Sequence, residues 1–514
     1  GGGGGGEADR MEAGASVQLD NLADDSVATI MSFLPSDSIL AASAAAARLV
    51  PTARADVLWL PRISRRWRFG AMPMSTEALL PGARSMAAES ALAEAAQAPL
   101  HSQAGAFRFF AERCQRDVEV RLLALQLNEA VRHPEADAAN NLPPGTVVRI
   151  VNLASTPQLN GALGVVGDRM SSGEERFAVT LPTSLRLLSI KGKNLEHCRP
   201  CPGEEEAQRR VVEAGAAAID ALARIAEITE AGSTLRRNVR FLLAEVTEQW
   251  AERQWRLLMA DPGRTDLLEE GGLIVSQWAE PGTADVAAMR SRLAELASAV
   301  EARTTPAAPV RERVEAVNAV FFEEYRFAGD TENYYDPRNS FLHAVLERRR
   351  GIPISLSVVW AAVARRVEVP CFLLANMPSH LLIRVTMGGD GLRDDIFVDA
   401  FSGKIMDFGT FMRFTLSVAG TFDERFAAQV SASAVYARIL RNLAHIYQEQ
   451  AQHANTLPGR MSALHGLAGV CLQSLAILGT GRDSGMNGEV ERLVSRREQV
   501  QSVLASLRGT GHGR

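Results

Sequence analysis

The hydrophobic pattern changes period several times along the chain, and each change marks a segment. Residues 1–16 are Gly-rich without apolar periodicity, which predicts a disordered tail. From Leu19 the stretch "LDNLADDSVATIMSFLPSDSILAASAAAARLV" places Leu22, Ile30, Phe33, Leu34, Ile39 and Leu40 as helical anchors. Asp24 and Asp25 suit the first turn of a helix, and Pro35-Ser36-Asp37 suits a stop and restart. With Trp59 and Trp67 in "DVLWLPRISRRW", this predicts a helical module over 17–70. An Ala/Ser-rich stretch and the amphipathic "AFRFFAERCQRDVEVRLLALQLNEAV" predict a helical connector over 71–140. Pro, Asn and Gly end it near 133–144.

Beyond that break the pattern becomes strand-like. Val147–Val151, Gly164–Val166, Arg176–Leu181 and Leu187–Ile190 alternate with turn residues. Over 143–200 they predict a small, curved barrel of about five strands, with Asn160-Gly161 as a tight turn and Gly164 in a bent strand. Helical spacing returns over 204–264, and a mixed segment follows over 265–425. There the helical "ISLSVVWAAVARRV" gives way to the strand-like "CFLLAN", "HLLIRVTM" and "IFVDAF". Helices fill 430–510; they are similar to tetratricopeptide hairpins, without a second copy in register. The predicted fold class is therefore multidomain α+β.

Composition narrows the function classes. With 514 residues the chain is long for one core, and about three or four domains fit. Hydrophobic residues make up 46% and charged residues 22%, which is ordinary for a globular protein. A net charge of −5 argues against a general affinity for nucleic acid. Cys114, Cys198, Cys201, Cys371 and Cys471 are odd in number and scattered, which suits a reducing compartment. Cys198 and Cys201 in "HCRPC" could be half of a zinc site, but no second pair follows, so two free thiols and no metal are expected. No continuous apolar run of membrane-spanning length stands out. The opening "GGGGGGEADRMEAG" does not read as a secretory signal, so cytoplasm or nucleus is expected.

The candidate chemistry lies in "NYYDPRNSFLHAVLERRRGIPISLSVVW" and the strands after it. Pro353 suits the first position of a helix, where its missing N–H costs nothing. Ile354, Val358, Trp360 and Val363 make that helix apolar enough to lie inside its domain. His380 opens one strand-like run and Asp399 closes the next, an order that suits a base and its orienting carboxylate. Asp336-Pro337 and Asn339-Ser340 suit an Asx turn and a helix cap.

These residues carry a resemblance. The run through Asn333, Tyr334, Asp336, Pro337, Asn339, Ser340, Leu342, Arg348, Gly351, Pro353 and Ser355 resembles the SirB-type transglutaminase-like family, with a papain-like α+β core flanked by helices, and Tyr335 is expected to belong to the same structural motif. The resemblance extends from about 265 to the "ILRNLAHIYQE" helix. It implies that His380 and Asp399 occupy the family's catalytic His and Asp positions and that Pro353 stands where the cysteine is expected. Ser355 and Ser357 are the nearest hydroxyls, and Cys371 reads as a small buried hydrophobe. Leu22–Trp67 resembles an F-box, with Ala23 where proline is usual, and 143–197 resembles small barrels of the KOW or Tudor type.

The resemblances imply a substrate-recognition adaptor of a Skp–cullin–F-box ubiquitin ligase. Leu22, Ile30, Phe33, Leu34, Pro35, Leu40 and Trp59 are then the residues expected to dock a Skp-type adaptor and, through it, the cullin core. The transglutaminase-like domain is expected to bind protein without catalysis or cofactor. Two other readings stay open. One is a cysteine-independent hydrolase or transferase using Ser355 or a water with His380 and Asp399; the other is an interaction scaffold outside ubiquitin chemistry.

Overall fold

The computed structural model describes residues 105–132, 142–170, 176–182, 184–199, 203–377, 380–388, 391–479 and 487–510. The helical module expected over 17–70, with Leu22, Ile30, Phe33, Leu34, Pro35, Leu40 and Trp59, lies outside the described residues. Arg116–Arg514 forms one compact unit of mixed α+β character, with 13 α-helices among the described residues.

Helix α1 (Gly105–Arg132) leads into five antiparallel strands: β1 (Val147–Ile150), β2 (Leu163–Met170), β3 (Arg176–Thr180), β4 (Leu187–Lys191) and β5 (Leu195–Arg199). Their order is β4-β3-β2-β1-β5. Alternation sends Val148, Val166, Phe177, Val179 and Ile190 into one core. Val147 and Val165, on the opposite face, pack against Leu122 and Leu125 of α1. The expected connector helix is thus part of this sheet's core over its second half. Gly164 is required by close approach, since a Cβ there would fall 2.4 Å from a methyl of Val179.

Helices α2 (Glu204–Glu213), α3 (Ala216–Ile228) and α4 (Thr234–Met259) follow; α4 packs on α3 and on the helices around it. The segment that positions the candidate site begins with α5 (Leu267–Ala279), α6 (Val286–Glu301) and α7 (Val310–Asn318). A π-helical turn, Ala319–Glu324, leads to the short strand β6 (Ala328–Gly329). After a 3-10 turn at Pro337–Ser340 come α8 (Leu342–Arg348), β7 (Arg350–Gly351) and α9 (Pro353–Arg366). Strands β8 (Cys371–Leu374), β9 (Leu382–Val385), β10 (Ile396–Asp399) and β11 (Lys404–Met406) form an antiparallel sheet in the order β11-β10-β9-β8.

This sheet lies between two helices, which explains why β10 is buried at every position. Helix α9 packs on β8 and β9, with Leu356, Val359 and Trp360 fully buried. The Trp360 indole N–H donates to Asn318 Oδ1 at 2.9 Å, which satisfies its one donor in the core. On the other side α10 (Phe408–Ala419) stacks Phe411 on Phe397 with ring centroids 3.9 Å apart.

Helices α11 (Ala432–His453), α12 (Leu457–Leu478) and α13 (Asn487–Thr510) pack in succession, and α12 also packs on α4. Helix α12 is long and apolar enough to cross a membrane, which corrects the sequence expectation; Ser462, His465, Gln473 and Ser474 interrupt its apolar run and hid it. Its apolar window is 67% buried inside the protein, as suits a core helix.

Candidate functional site

Two polar clusters carry the sequence-marked residues, one at the start of α9 and one where β9 and β10 lie side by side. In the first, Pro353 occupies the first helical position, and Ser355 caps the helix from within: its Oγ accepts from Ile352 N at 3.1 Å. The same hydroxyl donates to the Asn339 carbonyl at 2.5 Å. Gly351 makes room for this arrangement, because a Cβ there would lie 2.7 Å from Ser355 Oγ. Ser357 is committed to the Pro353 carbonyl at 2.8 Å.

Asn339 is fully buried and ties the preceding loop together. Its Nδ2 donates to the Asn333 carbonyl at 2.8 Å and more loosely to that of Tyr334 at 3.4 Å. Its Oδ1 accepts from Arg348 Nη2 at 2.6 Å, while Arg348 Nη1 reaches Asp336 Oδ2 at 2.8 Å. Asp336 also accepts from Arg338 N at 2.9 Å, the Asx turn ahead of Pro337. Seven sequence-marked residues, Asn333, Asp336, Pro337, Asn339, Arg348, Gly351 and Ser355, therefore belong to one scaffold. Asn339 sits here, and its hydrogen bonds do not run to His380 or Asp399.

The second cluster is looser. His380 lies in the loop just before β9, with its ring edge against Phe414 at 4.9 Å between centroids. His380 Nε2 is 3.6 Å from Asp399 Oδ2, and that buried nitrogen has no hydrogen-bond partner. Asp399, at the end of β10, accepts from Phe401 N at 2.9 Å and from the Ser402 hydroxyl at 2.7 Å. Burial opposes its ionisation, but His380, Ser402 and the Phe401 amide outweigh that and hold the carboxyl below the ordinary carboxylate range. Arg438 of α11 fixes the His380 loop, donating through Nη1 to the carbonyls of Ala375, Met377 and His380 at 3.0, 3.2 and 3.0 Å.

The structure thus brings His380 and Asp399 together, while the hydroxyl of Ser355 is engaged elsewhere. Cys371 opens β8, and desolvation pushes its thiol up to about 12, against forming a thiolate at neutral pH. Among the described residues no group of three His, Cys, Asp or Glu side chains is placed to hold a metal ion. Sequence reasoning missed Ser402 and Arg438. Ser402 follows Asp399 by three residues and reads as an ordinary turn; Arg438 reads as one more cation on an amphipathic helix.

Comparison with known proteins adds a family to this geometry. Residues 287–441 match the family model described as Transglutaminase-like superfamily. They form a transglutaminase-like domain. A UPF0162 protein of Xylella fastidiosa is 37% identical over 142 residues, which is 26% of this chain and 49% of the relative. One from Vibrio cholerae is 30% identical over 139 residues, 27% of this chain and 50% of the relative. F-box only protein 21 of Mus musculus is 41% identical over 92 residues, 17% of this chain and 14% of the relative. The matched part thus spans 14% of F-box only protein 21 and about half of these UPF0162 proteins. No solved structure matches the chain significantly.

Proposed function

We propose that this protein is a substrate-recognition subunit of an F-box ubiquitin ligase, working in the cytoplasm or nucleus, and that its transglutaminase-like domain, of the SirB type, binds protein without covalent chemistry. The single observation that carries the non-catalytic part is the commitment of the Ser355 hydroxyl to Ile352 and Asn339, next to a proline where a nucleophile is expected. A hydroxyl whose proton serves a buried carbonyl is not available to a histidine base. The similarity to F-box only protein 21 supports the ligase part, as does the F-box-like sequence over 17–70. In this reading the F-box holds the Skp adaptor and cullin core. The KOW- or Tudor-like sheet at 147–199 and the transglutaminase-like domain hold the substrate, so the contribution is positioning and effective concentration.

The test is capture of the Skp adaptor by the intact protein. Association should be lost in Leu34→Asp and in Trp59→Ala, and no association of the wild type would count heavily against the reading. A second reading draws on the unpartnered Nε2 of His380 beside Asp399, which could act on a water held there. A hydrolytic activity of the purified protein that disappears in His380→Ala would favour it.

A further inference from the structure

The surface beside His380 carries a charge arrangement that the fold leaves unbalanced. Arg438 is half-buried, and its contacts with the Ala375, Met377 and His380 carbonyls all use one terminal nitrogen. Carbonyl oxygens orient a guanidinium without neutralising it. Among the described residues no carboxylate lies within ion-pair distance of Arg438; the charged neighbour acting on it is Arg441, one turn along α11, which itself reaches Glu489 at 3.6 Å. Burial, reinforced by Arg441 and opposed by Tyr334, makes the charge on Arg438 less favourable than on a free arginine. A half-buried cation facing another cation is a cost unless an anion joins them.

Aromatic rings border the same strip. Tyr334 lies beside Arg438 and packs edge-on against Tyr335, with centroids 5.3 Å apart. Tyr335 is 66% exposed and meets the exposed His445 ring edge-on at 6.0 Å. Arg438, Arg441 and His445 follow one another at three- and four-residue spacing, so they share a face of α11. That face ends at the loop bearing His380.

We propose that this strip binds an acidic peptide segment of a protein partner, with a partner carboxylate seated on the free edge of Arg438 and Tyr334 and Tyr335 flanking the chain. A guanidinium edge matches a carboxylate in two parallel hydrogen bonds; Arg441, mostly exposed beyond its 3.6 Å contact with Glu489, offers a second cation to further acidic side chains, and His445 offers ring hydrogen bonding. The whole chain carries a net charge of −5, so the strip is a local exception suited to a short acidic segment rather than to a long polyanion. This inference rests on the reading of the domain as a protein-binding surface, yet it can fail alone: Skp capture depends on 17–70, and peptide binding does not.

The experiment measures fluorescence anisotropy of a labelled peptide alternating glutamate and glycine, with the intact protein, at low and high salt. Its glutamine counterpart and a single-stranded RNA of equal length serve as the other probes. The glutamate peptide should bind, weaken with salt and outcompete both. Arg438→Gln should weaken it by about tenfold or more, as expected for loss of a charge-assisted pair. Arg441→Glu leaves the Arg438 carbonyl contacts in place, and should weaken binding by about threefold or more through the field alone. The Arg441 side chain is 70% exposed, so this second variant carries the test if Arg438→Gln fails to fold. No glutamate-peptide binding, equal affinity for the glutamine peptide, tighter binding of RNA, or indifference to Arg441→Glu would each overturn the proposal.

Discussion

The scaffold around Asn339 and the pair formed by His380 and Asp399 differ in how completely their polar groups are met. Every functional atom of the Asn339 amide and the Ser355 hydroxyl has a partner, and Arg348 joins Asp336 and Asn339 through both terminal nitrogens, leaving its buried Nε as the unpaired atom of that scaffold. The other cluster keeps a buried ring nitrogen that stops 3.6 Å short of Asp399 without a hydrogen bond, and a cation without a carboxylate. A satisfied network rigidifies, whereas unmet groups at a partly exposed edge are where a ligand adds most. On the proposed reading the dense motif builds the site, and the sparse one is the edge that meets a ligand.

This comparison can be broken by mutation, starting with the scaffold. Asn339→Ala should cost about 3 kcal/mol, since it strands the Arg348 donor and two loop carbonyls in a buried setting. Arg348→Ala should follow at about 2–3 kcal/mol, from the loss of two charge-assisted hydrogen bonds at a partly exposed position. Urea denaturation midpoints check both. Ser355→Ala should cost about 1–2 kcal/mol by the same measurement, because the Ile352 N–H and the Asn339 carbonyl lose their shared partner. His380→Ala should cost about 1 kcal/mol or less, for it removes an edge contact with Phe414 and no hydrogen bond of the ring nitrogen facing Asp399. A reversed order, with His380 the most costly, would undo the distinction between scaffold and open edge.

The smallest effect expected is in the pH dependence. Because the Asp399 pKa is lowered in the folded protein, its contribution is fully present above the unfolded carboxylate value of about 4 and is lost as pH falls through the lower folded value. Asp399→Asn should therefore flatten the acid side of a stability–pH profile while leaving its slope near neutrality unchanged. An unchanged acid limb would mean that His380 and Ser402 do not stabilise the charge.

Local sequence made α9 readable, because Pro353 and the apolar run after it agree on a buried helix, and the structure runs it from Pro353 to Arg366. Three of the four strands in its sheet were also visible as apolar runs. Strand β11 was not: Lys404–Met406 is three residues long and alternates too briefly to register. The two-residue strands β6 and β7 pair across distant sequence, and no local pattern announces them. His380 and Asp399 were legible by residue type and order. Ser355 was legible as a hydroxyl, but its engagement with Asn339 depends on a contact sixteen residues away. Arg438 was hidden for the same reason, since its meaning comes from the loop at 375–380 that folds onto α11.

The most direct test of the central claim is the intact mass of the protein, with peptide mapping of residues 349–366, after incubation with a reactive peptide ester as acyl donor. The account predicts no added acyl group on that segment, with Ser355 unmodified. An acyl adduct on Ser355 that forms in the wild type and is absent in His380→Ala would contradict it.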